Sequence, residues 1–247
     1  MTVRGDGRFG HFGRLCSVSV LLIIGTALAL DARVTRASEE TVDQLTKAAL
    51  AMDANPKRGG ARFDSYCAKC HGANALGDAG RRIPVLAGQR FAYLVRQLAN
   101  LSGDQRDATV MHNVLSAKEL QDPQAWADIA AYLNDVPVPT HSQTGDGKLL
   151  GLGEGTYRTL CASCHFDDAR GDDDGFVPSL RNQHYSYLLG QVRRIAEFHR
   201  HNVDENIARL LRSLDVDEVS AVADYLSRLN GPTKDRKGMR SNGAVVD

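Results

Sequence analysis

The chain has 247 residues, with 30 basic and 30 acidic side chains and a formal net charge of zero. That balance turns to a net of −3 once residues 1–37 are set aside, which argues against a general nucleic-acid binder. Four of its five cysteines fall into two copies of one short pattern, which leaves no pair for a structural disulfide scaffold.

In chain order, the N-terminus reads as an export signal. Arg4, Arg8 and Arg14 form a positive region, the apolar run Leu15 to Leu30 follows, and small and polar residues come next. Residues 1–37 are read as a signal peptide cleaved near Ala37, with Ala29 and Ala32 as other candidate points. A retained membrane anchor is the competing reading, although the run falls short of the ~20 residues that a span needs. Gly13-Arg14-Leu15 before Cys16 is no lipobox, so a lipoprotein is not expected. Removing residues 1–37 takes away five arginines and two aspartates and leaves 25 basic against 28 acidic side chains.

A short segment with apolar residues at helical spacing then ends in Cys67-Ala68-Lys69-Cys70-His71. Two cysteines spaced by two residues and followed at once by histidine form the c-type haem attachment signal. The thiols become thioether links to the vinyl groups, and the adjacent imidazole becomes the proximal iron ligand. A four-thiolate zinc site or a redox dithiol competes with this reading. Zinc-ribbon pairs, however, lie about 15–20 residues apart, and a dithiol has no need of the histidine.

Phe91, Leu94, Val95, Leu98 and Leu101 form the next helical stripe. Asp122-Pro123 sets an N-cap beside a first-turn proline and opens a helix carrying Trp126, Ile129, Ala130 and Leu133. The stretch from Pro137 to Gly155, rich in Pro, Gly, Ser and Thr, reads as a linker. Cys161-Ala162-Ser163-Cys164-His165 then repeats the attachment pattern, displaced by 94 residues from the first. Tyr187, Leu188, Val192 and Ile195 form a second stripe, and Asp215 caps a last helix holding Val219, Val222, Ala223 and Leu226. Nothing between these segments alternates as a strand, so the fold class is all-α.

The same displacement aligns far more than the two motifs. Gly77-Asp78, Pro84, Leu86, Gln89, Tyr93-Leu94, Gln97 and Arg106 meet Gly171-Asp172, Pro178, Leu180, Gln183, Tyr187-Leu188, Gln191 and Arg200, and Phe63 faces Tyr157. One residue fewer aligns Ala131-Tyr132-Leu133 with Asp224-Tyr225-Leu226. A repeat of this length is a duplicated domain, since a solenoid unit spans only about 20–50 residues. The expected organisation is a first domain at 45–136, a linker at 137–152, a second domain at 153–230 and a polar tail at 231–247. Two motifs imply two covalently bound haem c groups, each giving a small helical domain the large apolar centre it otherwise lacks.

These residues resemble the class I c-type cytochromes, and the tandem arrangement is similar to the dihaem cytochrome c4 family. The likeness covers roughly Ala48 to Leu229. It implies that Pro84 and Pro178 accept a hydrogen bond from the other nitrogen of the proximal imidazoles of His71 and His165. Such a bond fixes ring orientation and raises ligand basicity. The resemblance further implies a methionine before the last helix as second axial ligand. Met111 fills that role in the first domain, with His112 as its rival.

The second domain departs from the pattern. Glu205 aligns with Met111, a small shift gives Ile207, and no methionine occurs between Cys161 and Gly238. His201 is taken as the sixth ligand of the second iron and His199 as the alternative. An open position, Met239 and His184 also stay open. Asp167-Asp168 and Asp172-Asp173-Asp174 lack regular ligand spacing and read as a solvated acidic loop able to face a basic partner.

The resulting expectation is a periplasmic electron carrier, or the cytochrome subunit of an oxidoreductase, rather than an enzyme. Its expected partners are redox proteins: a quinol-oxidising complex or periplasmic dehydrogenase upstream and a terminal oxidase or reductase downstream. No nucleic acid is expected, and membrane contact only if the N-terminal segment is retained. The alternative is a haem enzyme or small-ligand sensor using an open or labile sixth position on the second haem.

Overall fold

The computed structural model describes residues 1–2, 41–103, 105–106, 108–138, 143–200 and 202–230. The signal peptide, Cys16, His201, Met239 and the 231–247 tail lie outside the described residues, as does part of the linker. Among the described residues no helix is long and apolar enough to cross a membrane.

The expected helices form, with no strand among the described residues. The first half holds α1 (Pro56–Tyr66), the one-turn α2 (Ala68–His71), α3 (Phe91–Ser102), α4 (Thr109–Leu115) and α5 (Pro123–Asp135). The second half repeats them as α6 (Leu150–Leu160), α7 (Ala162–His165), α8 (Tyr185–Ala196), α9 (Glu205–Arg212) and α10 (Val216–Arg228). Local chemistry sets the helix starts. Asn55 caps α1 ahead of Pro56, Asp122 caps α5 ahead of Pro123, and Asp215 forms a capping box with Glu218 on α10. The linker expectation needs correction at its end, because residues 150–155 already belong to α6. Three glycines made this segment read as a loop, yet Gly153 is needed inside the helix for packing.

That packing is the crossing of α1 with α5 in the first half and of α6 with α10 in the second. A Cβ at Gly59 would come 1.9 Å from the Asp128 carbonyl oxygen, and one at Gly153 would come 2.2 Å from that of Ala221. Only glycine lets the backbones meet so closely. Beside each crossing sits a tilted aromatic pair, Phe63–Tyr132 at 5.5 Å and Tyr157–Tyr225 at 5.7 Å between centroids. In the first half Trp126 is buried as well and donates Nε1–H to the Leu120 carbonyl at 2.5 Å. A carboxylate on the last helix then ties down the chain entering each half. Asp128 accepts from the Asn55 amide and from Arg58 and Arg62. Asp224 accepts from the Gly145 and Gly147 amides and from Arg228.

The halves meet through reciprocal contacts at repeat-equivalent positions. Gln89 accepts from the Ser179 amide at 2.8 Å and donates to its carbonyl at 3.0 Å. Gln183 does the same with Val85, at 2.9 Å for both bonds. Arg90 donates to the carbonyls of Arg170 and Gly171, while its counterpart His184 donates Nε2–H to that of Leu76. Each contact and its mirror image are displaced by the repeat length, as in an isologous dimer interface carried within one chain. Asp173 corrects the picture of a merely solvated acidic loop. It pairs with Arg90 and accepts from the Ala92 amide, so the basic group it faces belongs to the same chain.

Candidate functional site

Both cysteine–histidine motifs occupy the same local structure. Cys67 ends α1 and opens α2, and Cys161 stands in the same place between α6 and α7. The short helix therefore presents two thiols and an imidazole within one turn. Burial, reinforced by the neighbouring Cys70 and Cys164 thiols, pushes Cys67 and Cys161 up to about 11. They are protonated at neutral pH, the opposite of the depressed thiolate that a redox dithiol uses.

The imidazoles are oriented from behind. His71 Nδ1 lies 3.3 Å from the Pro84 carbonyl oxygen and His165 Nδ1 lies 3.1 Å from that of Pro178. A carbonyl only accepts, so Nδ1 carries the proton and the lone pair stays on Nε2, the tautomer an iron ligand requires. Burial lowers both imidazoles below their ordinary value, against the opposing pull of these carbonyls. The turn that delivers the proline is itself built on glycine. Gly77 at φ +68° donates its amide to the His71 carbonyl at 2.8 Å, and a Cβ there would meet the Ile83 carbonyl oxygen at 2.3 Å. Gly171 at φ +66° repeats the arrangement after His165.

Partly buried apolar side chains line the core beside each turn. In the first half they include Leu86, Phe91, Leu98, Met111 and Val114; in the second, Leu180, Tyr185 and Leu189. The two thiols, the free Nε2 and this apolar wall fit a covalently attached haem. Met111 stands on α4, third from its start, and neighbouring His112 has its Nδ1 3.3 Å from the Leu101 carbonyl oxygen.

The corresponding helix of the second half is α9, which begins two residues later than the repeat length predicts. Counted from the helix start, the position of Met111 falls on Ile207; counted from the helix end, it falls on Ala208. Neither side chain has a donor atom. The gapless alignment with Glu205 is thereby displaced. His199 lies on the turn after α8, 65% exposed, with Nδ1 3.4 Å from a Glu197 carboxylate oxygen. Its counterpart in the first half is Gln105, the two amides bonding equivalent carbonyls of Arg194 and Asn100. His184 has both ring nitrogens occupied, accepting from the Gln143 amide and donating to Leu76.

Sequence reasoning missed Gly59 and Gly153, which also match in the repeat and report the helix crossing. It recorded Gln89, Gln183, Tyr93, Tyr187, Gln97, Gln191, Arg106 and Arg200 as identities without a role. The structure collects all eight where the halves meet.

Comparison with known proteins gives one consistent answer. Residues 54–133 match the family described as cytochrome c oxidase, cbb3-type, subunit III. A thiosulfate dehydrogenase electron acceptor of Stutzerimonas stutzeri is 31% identical over 173 residues, covering 66% of this chain and 78% of that one. A cytochrome c4 of Pseudomonas aeruginosa is 28% identical over 194 residues, covering 73% and 92%. Among solved structures, reduced recombinant cytochrome c4 from Pseudomonas stutzeri superimposes with a TM-score of 0.64 at 24% identity, over 72% of this chain and all of that one. A thiosulfate dehydrogenase from Marichromatium purpuratum gives 0.62 at 24% identity, over 75% of this chain and 44% of that one. The last two likenesses speak for the fold, and the sequence matches speak for kinship. The chain belongs to the cytochrome c4-like family of dihaem c-type cytochromes, electron-transfer proteins that carry covalently bound haem c.

Proposed function

We propose that this protein is an exported, periplasmic carrier of single electrons that holds two haem c groups, one in each half. Cys67 and Cys70 in the first half, and Cys161 and Cys164 in the second, supply the thiols for attachment. His71 and His165 supply the proximal nitrogens. Bound haem contributes a one-electron Fe(III)/Fe(II) couple.

The protein's own part is to set ligands and surroundings. The carbonyls of Pro84 and Pro178 hold each imidazole in its ligating tautomer. The thioether of Met111 completes the first site. A histidine of the loop after α8 completes the second, His201 first and His199 as the alternative. Thioether favours the reduced metal more than imidazole does, so the first site is the higher-potential one and electrons rest there preferentially.

The partners are redox proteins that dock weakly and leave. They comprise a quinol-oxidising complex or periplasmic dehydrogenase as donor and a terminal oxidase or reductase as acceptor. The relatives named as electron acceptors of thiosulfate dehydrogenase support a dehydrogenase of sulfur compounds as the donor.

The observation that carries this reading is the pair of matching turns in which a buried imidazole keeps Nε2 free beside two thiols. Oxidised and reduced visible and near-infrared spectra of the haem-loaded protein, with and without carbon monoxide, test it. The expected result is two low-spin haems, a weak sulfur-to-iron band at the red end of the oxidised spectrum, and no response to carbon monoxide. A second haem that is high-spin and takes carbon monoxide overturns the carrier reading. It would favour a small-ligand sensor or enzyme, which the donor-free Ile207 and Ala208 make the natural second reading.

A further inference from the structure

Three residue pairs that match in the repeat have no part in haem attachment: Tyr93 and Tyr187, Gln97 and Gln191, Arg106 and Arg200. They converge on one polar cluster between the halves. Arg106 donates to Gln97 Oε1 of its own half at 2.9 Å, then crosses to the Tyr187 hydroxyl at 2.9 Å and to Gln191 Oε1 at 3.4 Å. Arg200 donates to Gln191 at 2.9 Å and crosses to the Tyr93 hydroxyl at 3.2 Å and to Gln97 at 3.1 Å. Asn202 joins by donating to Gln97 at 3.0 Å and accepting from Arg200 Nε at 3.0 Å. Among the described residues no carboxylate pairs with either guanidinium. Neutral oxygens hold both cations, and four of these seven arginine bonds cross to the other half.

The place of these arginines in the chain gives the cluster its meaning. Each lies in the loop between the long helix (α3 or α8) and the short distal helix (α4 or α9). Arg106 precedes Met111 by five residues. Arg200 stands between the two histidines considered for the second iron. The loop that delivers the distal ligand of one half is therefore fastened to a phenol and an amide of the other.

We propose that Arg106 and Arg200 are cross-domain positioning residues, each holding the distal-ligand loop of its own half by gripping the opposite half. Hydrogen bonds from a charged donor are the stronger kind, and neighbouring bonds reinforce one another. Guanidinium geometry suits the task, because one arginine reaches two acceptors at fixed angles. The distal geometry of each redox centre then depends on how the halves are docked. A partner that strains the interface thereby gains a route to both ligand loops.

The inference rests on Met111 as ligand and predicts a crosswise pattern that a local effect does not produce. Tyr187 belongs to the second half but braces the loop of Met111; Tyr93 belongs to the first half but braces the loop of Arg200. The test uses the haem-loaded full chain, oxidised, with imidazole added to displace the thioether and the rate of loss of the sulfur-to-iron band as readout. Losing one charge-assisted bond raises the unlatched population about tenfold. Tyr187→Phe should accelerate displacement by about that factor, and Arg106→Lys should act in the same direction. Tyr93→Phe should leave the rate unchanged while shifting the midpoint of the other haem.

If both phenylalanine variants act equally, if Tyr93→Phe alone accelerates displacement, or if neither acts, the cross-bracing is overturned. Met111→Ala separates the two claims. A band that survives this substitution, or is missing from the wild type, removes the ligand assignment and this inference with it. A band lost in Met111→Ala yet indifferent to Tyr187→Phe removes the inference alone.

Discussion

The two halves agree on the proximal side and diverge on the distal side. His71 and His165 sit in nearly superimposable turns because those turns depend on short-range geometry: a one-turn helix, a left-handed glycine and a proline carbonyl within a few residues. The distal side depends on helix register and packing. In the first half, helical residues 41–50 add Val42, Thr46 and Ala49 to the buried residues, and Asp43 pairs with Arg96 of α3. Helix α3 buries seven of its twelve residues, whereas α8 buries Leu188 alone. The loop before α9 has lengthened, and aliphatic Ile207 and Ala208 stand on α9 where Met111 stands on α4. Duplication has preserved what local stereochemistry enforces, while the looser region has become different.

The comparison breaks most severely at the attachment turns. Replacing Cys161 and Cys164 together with alanine should remove about half of the covalent haem measured as pyridine haemochrome, as should the matching change at Cys67 and Cys70. Loss of all or none of it would show that the halves are not equivalent attachment sites.

The next largest effect concerns the missing sulfur. Ile207→Met or Ala208→Met should add a second sulfur-to-iron band and raise the lower of the two midpoint potentials. Met111→Leu should abolish the existing band and lower the higher midpoint. If neither methionine placed on α9 changes the spectrum, that helix does not present a ligand position to the second iron.

Asp128 sharpens the comparison through stability. Its charge is paired with Arg58 and Arg62, and although burial alone would raise its pKa, the bonds from Arg58, the Asn55 amide and Gln124 hold it below the ordinary carboxylate value. A depressed native value means stability that is present above the unfolded pKa and lost as pH falls through the native one. Asp128→Asn should therefore cost about 2 kcal/mol in neutral urea unfolding. The penalty should begin to shrink below about pH 4, where the carboxyl of the unfolded wild-type chain gains its proton before the native one does. A penalty independent of pH would assign the effect to packing instead.

The smallest effect comes from one hydroxyl. Tyr157 donates to the Phe166 carbonyl at 2.5 Å, where Phe166 holds φ +64° at the position Gly72 occupies in the first half. Tyr157→Phe should cost about 1 kcal/mol in thermal unfolding. No change would mean that this bond adds nothing to the strained turn.

Much of this molecule was legible beforehand. The attachment motifs, the caps at Asp122 and Asp215 and the all-α class rest on spacing and short-range stereochemistry, which a linear reading captures, and the family resemblance supplied the proline carbonyls that the structure places behind His71 and His165. The start of α6 was hidden because Gly151, Gly153 and Gly155 look like loop residues until the carbonyl of Ala221 is seen against Gly153. The aligned tyrosines, glutamines and arginines were visible as identities, but their purpose was not. An isologous contact joins residues about a hundred positions apart, and nothing in their own neighbourhood records the partner. The sequence by itself determined the two attachment turns and the absence of a methionine in the second half, since these follow from residue type and spacing. Only the tertiary structure decided the register of α9, which puts Ile207 or Ala208 rather than Glu205 at the helix position of Met111, and that each distal loop is anchored in the opposite half, because helix register and interdomain packing arise from the whole chain.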